Sequence, residues 1–192
     1  MGTVSRLPDI DTEHLTEEQA ELYEALLSRP EVARLGLIGP FGVWMHAPDL
    51  GKAMSALGGK VRFTTSLPNN VTEVAICTTG AFHRAKFEFA AHRGLAIRAG
   101  VDEAALDRLA AGEAPGFVGD EGAAYGVASE LLNTHAISDA TYTDAAERFG
   151  PQGMVELTTT VGYYCLVSLM LNAFEVGVVE GMTDPFPDGS PS

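Results

Sequence analysis

Residues 72–100 read TEVAICTTGAFHRAKFEFAAHRGLAIRAG, and this stretch decides the fold class. It consists of an apolar segment, a break at Gly80 and a second segment that ends at Gly100. Neither segment alternates apolar and polar residues as a half-buried strand does. Glycine directly after an apolar segment is a common helix stop. We therefore predict two helices, over about 71–79 and 84–98, joined by a short turn at Gly80.

The chain before this stretch also carries helix signals. Thr16-Glu17-Glu18-Gln19 is a capping box, which predicts a helix over about 16–28. Residues 30–40 contain two prolines and two glycines and predict a loop. A proline suited to a first helical turn opens a second predicted helix over about 48–63. Residues 61–65 are the only candidate strand, and a weak one.

The chain after Gly100 predicts further helices and a polar end. The predicted segments are a short helix at 102–112, a loop at 113–120, helices at about 121–133 and 138–150, and a last helix from Pro151. That last helix is apolar nearly all round, so we place it in the core or at a subunit interface. The prediction is one all-α helical domain at 15–180, with an N-terminal arm at 1–14 and a C-terminal tail at 181–192.

Composition and charge exclude several classes of protein. The 192 residues include 12 Lys and Arg against 26 Asp and Glu, a formal net charge of −14. Nucleic acids and anionic membranes bind clustered positive charge, so we expect neither as a partner. No apolar run reaches the roughly 20 residues that span a bilayer. Residues 1–14 lack the apolar stretch of a signal peptide.

The two cysteines favour a reducing compartment. Cys77 and Cys165 both lie in apolar surroundings, which is typical of buried, reduced thiols. The sequence has no Cys-x-x-Cys, so a dithiol redox centre and a cysteine-ligated zinc site are disfavoured. We therefore expect a cytoplasmic protein.

Glu88 and His92 are the strongest candidates for chemistry. They stand four residues apart, so they share a face of the predicted helix, and Phe87, Phe89 and Leu95 surround them with apolar groups. The carboxylate favours the protonated imidazole while burial opposes it, which suits a general acid–base pair. An ordinary Glu–His ion pair on the surface is the alternative, and spacing alone does not decide between them.

Glu73 is a third candidate with two interpretations. Asn70-x-x-Glu73 resembles a capping box, which would make Glu73 a helix-start residue. As a site residue it would assist Glu88 and His92, but a break at Gly80 leaves its distance from them open.

Three further residues are candidates for substrate binding: His46, His83 and Tyr164. His46 stands beside Pro48, where it lines a pocket or caps a helix. His83 lies nine positions before His92. If one helix holds both residues, their side chains point about 180° apart and do not converge. Tyr164 belongs to an apolar helix, whose tyrosines are either core aromatics or project into a pocket. A Glu-x-x-x-His pair supplies only two ligands, so no metal is predicted.

The order of these motifs resembles the carboxymuconolactone decarboxylase family, which also contains the alkylhydroperoxidase-D-like (AhpD-like) proteins. The resemblance covers about 15–176. It rests on Glu73, Glu88-Phe89-Ala90-Ala91-His92, Ala99-Gly100-Val101-Asp102-Glu103, Gly162-Tyr163-Tyr164 and Leu171-Asn172-Ala173-Phe174, in that order. It implies an AhpD-like helical bundle that assembles into trimers or hexamers. It also implies a cofactor-free site at Glu73, Glu88 and His92.

The resemblance distinguishes two branches of the family. The peroxidase branch carries Cys-x-x-Cys before the histidine, where this chain has Ala85 and Glu88. Dithiol chemistry needs a thiolate at those positions, so the decarboxylase branch, which keeps Glu-x-x-x-His, is the better match. The positions of family arginines hold Thr72, Thr78 and Ala81 in this chain. The cations that remain nearby are His83, Arg84, Lys86, Arg93 and, from the preceding helix, Arg62.

The predicted function is that of a cofactor-free lyase, decarboxylase or isomerase acting on a small oxygenated ring, such as a carboxylated lactone. His92 donates the proton that quenches an enolate, Glu88 orients the imidazole, and Glu73 positions a water or the second ring nitrogen. The alternative is a non-catalytic oligomer of the same fold that binds a small molecule or serves as a scaffold. The expected partners are a small-molecule substrate and further copies of the chain, as a homo-trimer or homo-hexamer.

Overall fold

The computed structural model describes residues 5–187, without the side chains of residues 30 and 31. Over this range the chain forms nine helices and no strand, so the predicted all-α fold is confirmed. The helices are α1 (Glu17–Leu27), α2 (Pro30–Leu35), α3 (Pro40–Trp44), α4 (Pro48–Phe63), α5 (Asn69–Phe82), α6 (Lys86–Arg98), α7 (Glu103–Ala110), α8 (Gly119–Thr134) and α9 (Asp139–Ala173).

Capping and stop signals place most helix ends correctly. Thr16 and Gln19 form the predicted capping box of α1, and the Asp102 side chain caps α7. Each cap satisfies a backbone N–H that a helix start leaves free. α6 ends at Arg98, shortly before Gly100, whose φ of 98° lies in the region that favours glycine.

Three local predictions are wrong. The predicted loop at 30–40 contains α2 and the start of α3, because a proline in a first helical turn lacks only an N–H that has no helical partner. The candidate strand at 61–65 is the end of α4 and the coil after it. Gly80 lies inside α5, so the turn falls after Phe82.

α5 is the central helix of the bundle. It packs against α6, α7, α8 and α9, and every residue from Val71 to Gly80 is buried. Polar side chains on such a helix must find partners inside the fold. Thr78 and Thr79 do so by donating to backbone carbonyls one turn earlier. Glu73 needs a partner from another element.

α9 is bent at Gly150, whose φ of 64° and ψ of 178° are not helical. The two helices predicted on either side of this residue are therefore present, and Pro151 opens the second. Among the described helices, α9 is long and apolar enough to cross a membrane by length and composition. Half of its apolar window is buried inside the fold. Leu157, Val161 and Leu171 pack there, which makes α9 a core helix of this bundle.

The described part of the predicted C-terminal tail, 181–187, packs back onto the bundle. Phe186 is buried against Phe89 of α6, with ring centroids 5.4 Å apart. Asp184 accepts a hydrogen bond of 2.6 Å from the Lys86 ammonium. This segment is therefore part of the bundle's packing, and the rest of the tail lies outside the described residues.

The predicted N-terminal arm also contacts the bundle. The Arg6 backbone N–H donates to the Phe174 carbonyl at 2.9 Å, and the Arg6 guanidinium pairs with Glu175. Residues 1–4 of the arm lie outside the described range. The arm therefore packs at the end of α9, while the C-terminal segment packs on α6.

Candidate active site

α5 and α6 bring Glu73, Glu88 and His92 together. α6 packs against α5 after the chain reverses at Arg84, which has a left-handed φ of 50°. His92 Nδ1 lies 2.7 Å from Glu73 Oε2, and His92 Nε2 lies 3.1 Å from Glu88 Oε1. The imidazole is therefore held between two carboxylates, one from each helix.

All three side chains are buried, with exposed fractions of 9% for Glu73, 3% for Glu88 and 6% for His92. The alternative of a surface ion pair is therefore wrong. Burial by itself lowers the pKa of His92, but the charge of Glu73 and the hydrogen bonds to Glu73 and Glu88 outweigh it. Together these effects raise the pKa of His92 to about 9. The imidazole thus carries its proton at neutral pH.

Glu73 does not cap α5, so the capping-box interpretation is wrong. The residue before α5 is Pro68, no side chain caps this helix start, and Asn70 donates to a carboxylate of α8 instead. Gly80 of α5 packs against Phe89 of α6. A Cβ at Gly80 would stand 3.4 Å from the Phe89 backbone nitrogen, which is already van der Waals contact.

Glu88 and His92 line a cavity of about 450 Å³, a size that suits a small organic molecule. Glu73 holds the imidazole from outside the cavity lining, so Nε2 is the ring nitrogen on the cavity side. The apolar wall includes Ile38, Phe41, Trp44, Phe87, Leu95 and Val167. A ligand there meets a largely apolar surface with the Glu88–His92 pair at one side.

Four arginines line the same cavity: Arg29, Arg34, Arg62 and Arg98. The whole chain has 12 Lys and Arg and a net charge of −14, so a third of its cations surround one cavity. Arg29 is fixed by Ser55, whose carbonyl and hydroxyl oxygens accept hydrogen bonds of 2.9 and 3.0 Å from Nη2. Clustered guanidinium groups favour an anionic ligand, because they match carboxylate geometry.

Sequence reasoning found only one of these arginines, Arg62. The other cations expected near the site do not line the cavity. Arg93, for example, pairs with Glu103 and Asp107 on the surface. Arg98 could have been predicted from the sequence, because it stands three residues after Leu95 and therefore shares a face of α6 with it. Arg29 and Arg34 come from elements far away in sequence, and no motif connects them to the site.

Aromatic side chains complete the wall. The Tyr164 ring packs edge-on against the His92 ring with centroids 5.1 Å apart, and Tyr164 lines the cavity. The Tyr163 hydroxyl donates to the Met54 carbonyl at 3.1 Å. Burial raises the pKa of both phenols, so both stay neutral donors. Trp44 also lines the cavity, and within the described chain its buried indole N–H has no hydrogen-bond partner.

The structure does not bring His46 or His83 into this cavity. His46 is exposed, with Nε2 3.1 Å from the Pro8 carbonyl, and it lines a second cavity of about 510 Å³ beside the N-terminal arm. His83 is the C-cap of α5, and burial lowers its pKa. Its backbone carbonyl accepts a hydrogen bond of 2.6 Å from Asn172, which ties α9 to the end of α5.

The donor set around His92 suits a proton better than a metal ion. Among residues 5–187, no group of three or more His, Cys, Asp or Glu side chains is arranged to hold a metal. A protonated imidazole also has no lone pair to offer to a metal. The arrangement is that of a proton donor flanked by two bases.

Comparisons with known proteins support the fold. No family model and no curated protein matches the sequence. The chain is similar to the alkylhydroperoxidase AhpD core of an uncharacterized peroxidase-related protein from Ralstonia eutropha JMP134. The TM-score is 0.76 at 16% identity, over 94% of this chain and 95% of that one. The chain has the AhpD-core fold.

A second solved structure is also similar to this chain. It is an uncharacterized peroxidase-related protein from Silicibacter sp. TM1040, with a TM-score of 0.69 and 13% identity over 93% of this chain and 92% of that one. Similarity at these identities concerns the fold, and function must be argued from the site. The resemblance to the decarboxylase branch therefore stays a prediction.

Proposed function

We propose that this chain is a cofactor-free acid–base enzyme, a lyase or isomerase that acts on a small anionic ring compound such as a carboxylated lactone. One observation carries the proposal. The buried His92 imidazole stands between two carboxylates at the wall of a cavity that four arginines also line. A buried titratable group with a perturbed pKa at the wall of a cavity is a candidate functional group.

The charge of the cavity supports an anionic substrate. The four arginines and the imidazolium are all cationic, and Glu88 is the acidic residue of the lining. A chain with a net charge of −14 repels anions over most of its surface, so this cavity is where an anion is attracted. The apolar wall beside the arginines favours a carboxylate attached to a ring or chain over a fully hydrated inorganic ion.

In the proposed decarboxylation, the bond between the ring carbon and the carboxylate breaks. CO₂ leaves, and the electron pair moves into a conjugated carbonyl to form an enolate. His92 then donates its Nε2 proton to the ring carbon, and solvent returns a proton to the imidazole. A well-placed general acid of this kind contributes roughly 10²–10⁴-fold. Glu73 acts as a positioning residue, because it keeps Nδ1 bonded while Nε2 reacts.

The arginines are better placed to bind a substrate group that remains after CO₂ has left than to bind the departing carboxylate. A cation beside the departing carboxylate would stabilise the ground state and slow the loss of CO₂. The carboxylate that leaves is therefore better placed toward Glu88 and the apolar wall. The arginines then hold a second anionic group or the developing enolate oxygen. Trp44 offers its indole N–H as a further donor to that oxygen.

Peroxidase chemistry of the dithiol type is not proposed for this chain. Ala85 and Glu88 occupy the positions where it needs cysteines. Cys77 is buried, and burial raises the pKa of its thiol well above the ordinary value, which disfavours the thiolate. Cys165 is half-buried on α9, and burial raises the pKa of its thiol too.

Non-catalytic binding is the second candidate, and one observation favours it. Both ring nitrogens of His92 already have carboxylate partners in the free protein. Proton donation to a substrate therefore requires Nε2 to leave Glu88. A chain that binds an anion without moving this proton would keep the cavity and the arginines but show no turnover.

The test is the loss of 4-carboxymuconolactone absorbance together with CO₂ release. We expect turnover by the wild type, loss of at least about 10²-fold in His92→Ala, and full activity in the matched control His46→Ala. Arg98→Gln should raise KM by about tenfold with little change in kcat, if that arginine binds a retained group. Full activity in folded His92→Ala would contradict the mechanism. Binding of the lactone without turnover in the wild type would favour the non-catalytic candidate.

A further inference from the structure

Arg29 is a half-buried cation whose partners in the described chain are all uncharged. Its Nη2 donates to the carbonyl and hydroxyl oxygens of Ser55, and its guanidinium carbon lies 5.7 Å from the centroid of the Phe41 ring. No described carboxylate stands within ion-pair distance of it. Removing a cation from water costs free energy, which an anion in contact with it usually offsets. The described chain leaves Arg29 without such an anion.

Cations away from the cavity commonly do have an acidic partner. Lys86 pairs with Asp184, and Arg148 pairs with Asp120 and Asp144. With 26 acidic side chains against 12 basic ones, an acidic partner is available over most of the surface. A half-buried cation that stands apart from all of these acids is better explained by a ligand than by the fold.

Burial distinguishes Arg29 from two of the other arginines that line the cavity. Arg34 and Arg98 are exposed, so water solvates their charges whether or not a ligand is bound. A half-buried guanidinium has less water around it, and its attraction for a neighbouring anion is less screened. An anionic ligand group therefore gains more from contact with Arg29 than from contact with either exposed arginine.

The charge of Arg29 reaches the part of the cavity that holds the Glu88–His92 pair. Burial and the charge of Glu88 raise the pKa of Tyr163, while the charges of Arg29 and Arg62 oppose that rise. Arg29 and Glu88 thus both act on one phenol of the cavity wall. A ring attached to an anion at Arg29 can therefore extend past Tyr163 toward the Glu88–His92 pair.

We propose that Arg29 binds the carboxylate that the substrate keeps, and that Ser55 is a positioning residue that fixes Arg29 for this contact. The inference rests on the proposed function, because it assigns one group of that substrate to one residue. The Nε and Nη1 N–H groups of Arg29 have no hydrogen-bond partner among the described residues, so they can donate to a ligand. The ligand class is an organic acid whose apolar part contacts Phe41, which lines the cavity beside Arg29.

Ser55 holds the guanidinium in place before any ligand binds. Arg29 lies between α1 and α2 and Ser55 lies in α4, so their contact joins two separate parts of the chain. An unrestrained arginine side chain has many rotamers and loses that freedom when it binds an anion. A side chain that two hydrogen bonds already hold loses less freedom, which favours binding.

Two probes of the same shape test the recognition of charge: cyclopentanecarboxylate and its uncharged analogue cyclopentanecarboxamide. The fluorescence of Trp44 reports binding, because it is the single tryptophan of the chain and lines the cavity. The wild type should bind the carboxylate at least about tenfold more tightly than the amide, since hydrogen bonds between charged groups are the stronger ones. Equal affinities in the wild type would overturn the proposal.

Arg29→Gln should weaken carboxylate binding at least about tenfold and change amide binding less than about threefold. Lys60→Gln is the matched control, because it removes the same charge from α4 at an exposed position outside the cavity lining. This control should bind both probes like the wild type. An Arg29→Gln variant with unchanged helical circular dichroism that keeps the wild-type preference for the carboxylate would overturn the proposal.

Substitutions at Ser55 test its positioning role. Ser55→Ala should weaken carboxylate binding about two- to tenfold, the effect of one hydrogen bond, and leave amide binding nearly unchanged. Ser55→Thr keeps the hydroxyl and should restore the wild-type affinity for the carboxylate. Wild-type carboxylate affinity in Ser55→Ala would overturn the positioning role.

Turnover of 4-carboxymuconolactone distinguishes this inference from the proposed function. Arg29→Gln should raise KM at least about tenfold and change kcat less than about threefold, because a retained group is bound equally in the ground state and the transition state. Turnover with an unchanged KM in Arg29→Gln would overturn the role of Arg29 and leave the acid–base mechanism standing. Carboxylate binding that depends on Arg29, without turnover by the wild type, would support anion binding at Arg29 and favour the non-catalytic candidate.

Discussion

His92 is stable as a buried cation only because two carboxylates share its charge. An unpaired buried charge is strongly destabilising, whereas a charge with well-placed partners is tolerated. Glu73 provides the shorter contact at 2.7 Å and stands outside the cavity lining, while Glu88 shares the cavity wall with His92. The two glutamates therefore differ in position: Glu73 holds the ring from outside the cavity lining, and Glu88 lines the cavity.

We expect the free energy of unfolding to fall as the pH rises from about 7 to 9. The pKa of His92 is about 9 in the folded chain and about 6.5 in an unfolded chain. A raised pKa contributes stability that is complete below about pH 6.5 and is lost as the pH rises through 9. Urea unfolding at a series of pH values measures this dependence.

His92→Gln provides the control for this titration. Other groups, such as the Cys77 thiol, titrate in both proteins, so the difference between the two pH profiles isolates the imidazole. A wild-type profile no steeper than that of the variant between pH 7 and 9 would show that His92 is not held as a cation.

At the level of the helices, the cavity depends on close contact between α4 and α9. Gly58 of α4 lies against Tyr163 of α9, and a Cβ on Gly58 would overlap the Tyr163 hydroxyl. That hydroxyl donates to the Met54 carbonyl one turn earlier in α4. Gly58 is thus needed for close approach, although glycine weakens a helix interior.

The neighbouring Gly59 makes a matched comparison possible. We expect Gly58→Ala to lower the free energy of unfolding by about 1–3 kcal/mol, because Tyr163 must move in a packed core. Gly59→Ala should instead raise it by about 0.5–1 kcal/mol through helix propensity, since its Cβ meets only Arg29 Nη2 at 3.9 Å. Chemical denaturation of both variants gives the two values, and equal effects would contradict this packing.

Much of the helical architecture can be predicted because capping residues and glycine stops lie next to the helix ends that they determine. Capping residues and glycine stops act within a few residues of one another, so the ends of α1, α6 and α7 follow from the sequence. The wrong loop at 30–40 has a different cause, because prolines are compatible both with loops and with first helical turns. Gly80 has a similar ambiguity, because glycine can either end a helix or lie inside one, and here it lies inside α5.

The candidate site is only partly local. The spacing of Glu88 and His92 predicts a shared face, and the structure places them 3.1 Å apart. The contact of Glu73 with His92 depends on how the chain reverses between two helices, which spacing does not specify. Arg29 and Arg34 reach the cavity only through tertiary packing, so no local sequence pattern connects them to the site.

At the scale of the whole molecule, the C-terminal segment 181–187 contributes to the wall of the His92 cavity. Met182 lines the His92 cavity, and Phe186 anchors the segment on α6. The Arg84 guanidinium lies 5.0 Å from the Phe186 ring centroid and adds a cation–π contact. A residue about 90 positions after His92 therefore forms part of the cavity wall.

Truncation after Glu180 should open the cavity. We expect stronger acrylamide quenching of Trp44, which is the single tryptophan of the chain and lines the same cavity. A truncation after Pro187 is the control, since it keeps every described contact of the segment. Equal quenching in both truncated proteins would mean that the segment does not cover the site.

The most direct test of the proposed acid is the titration of His92 by nuclear magnetic resonance in the free wild-type protein. The structure predicts a pKa of about 9, with protons on both ring nitrogens at neutral pH. Glu73→Gln should lower that pKa, because it removes the charge nearest to Nδ1. An ordinary titration near pH 6.5, unchanged in Glu73→Gln, would contradict the charged acid and leave the cavity as a binding site alone.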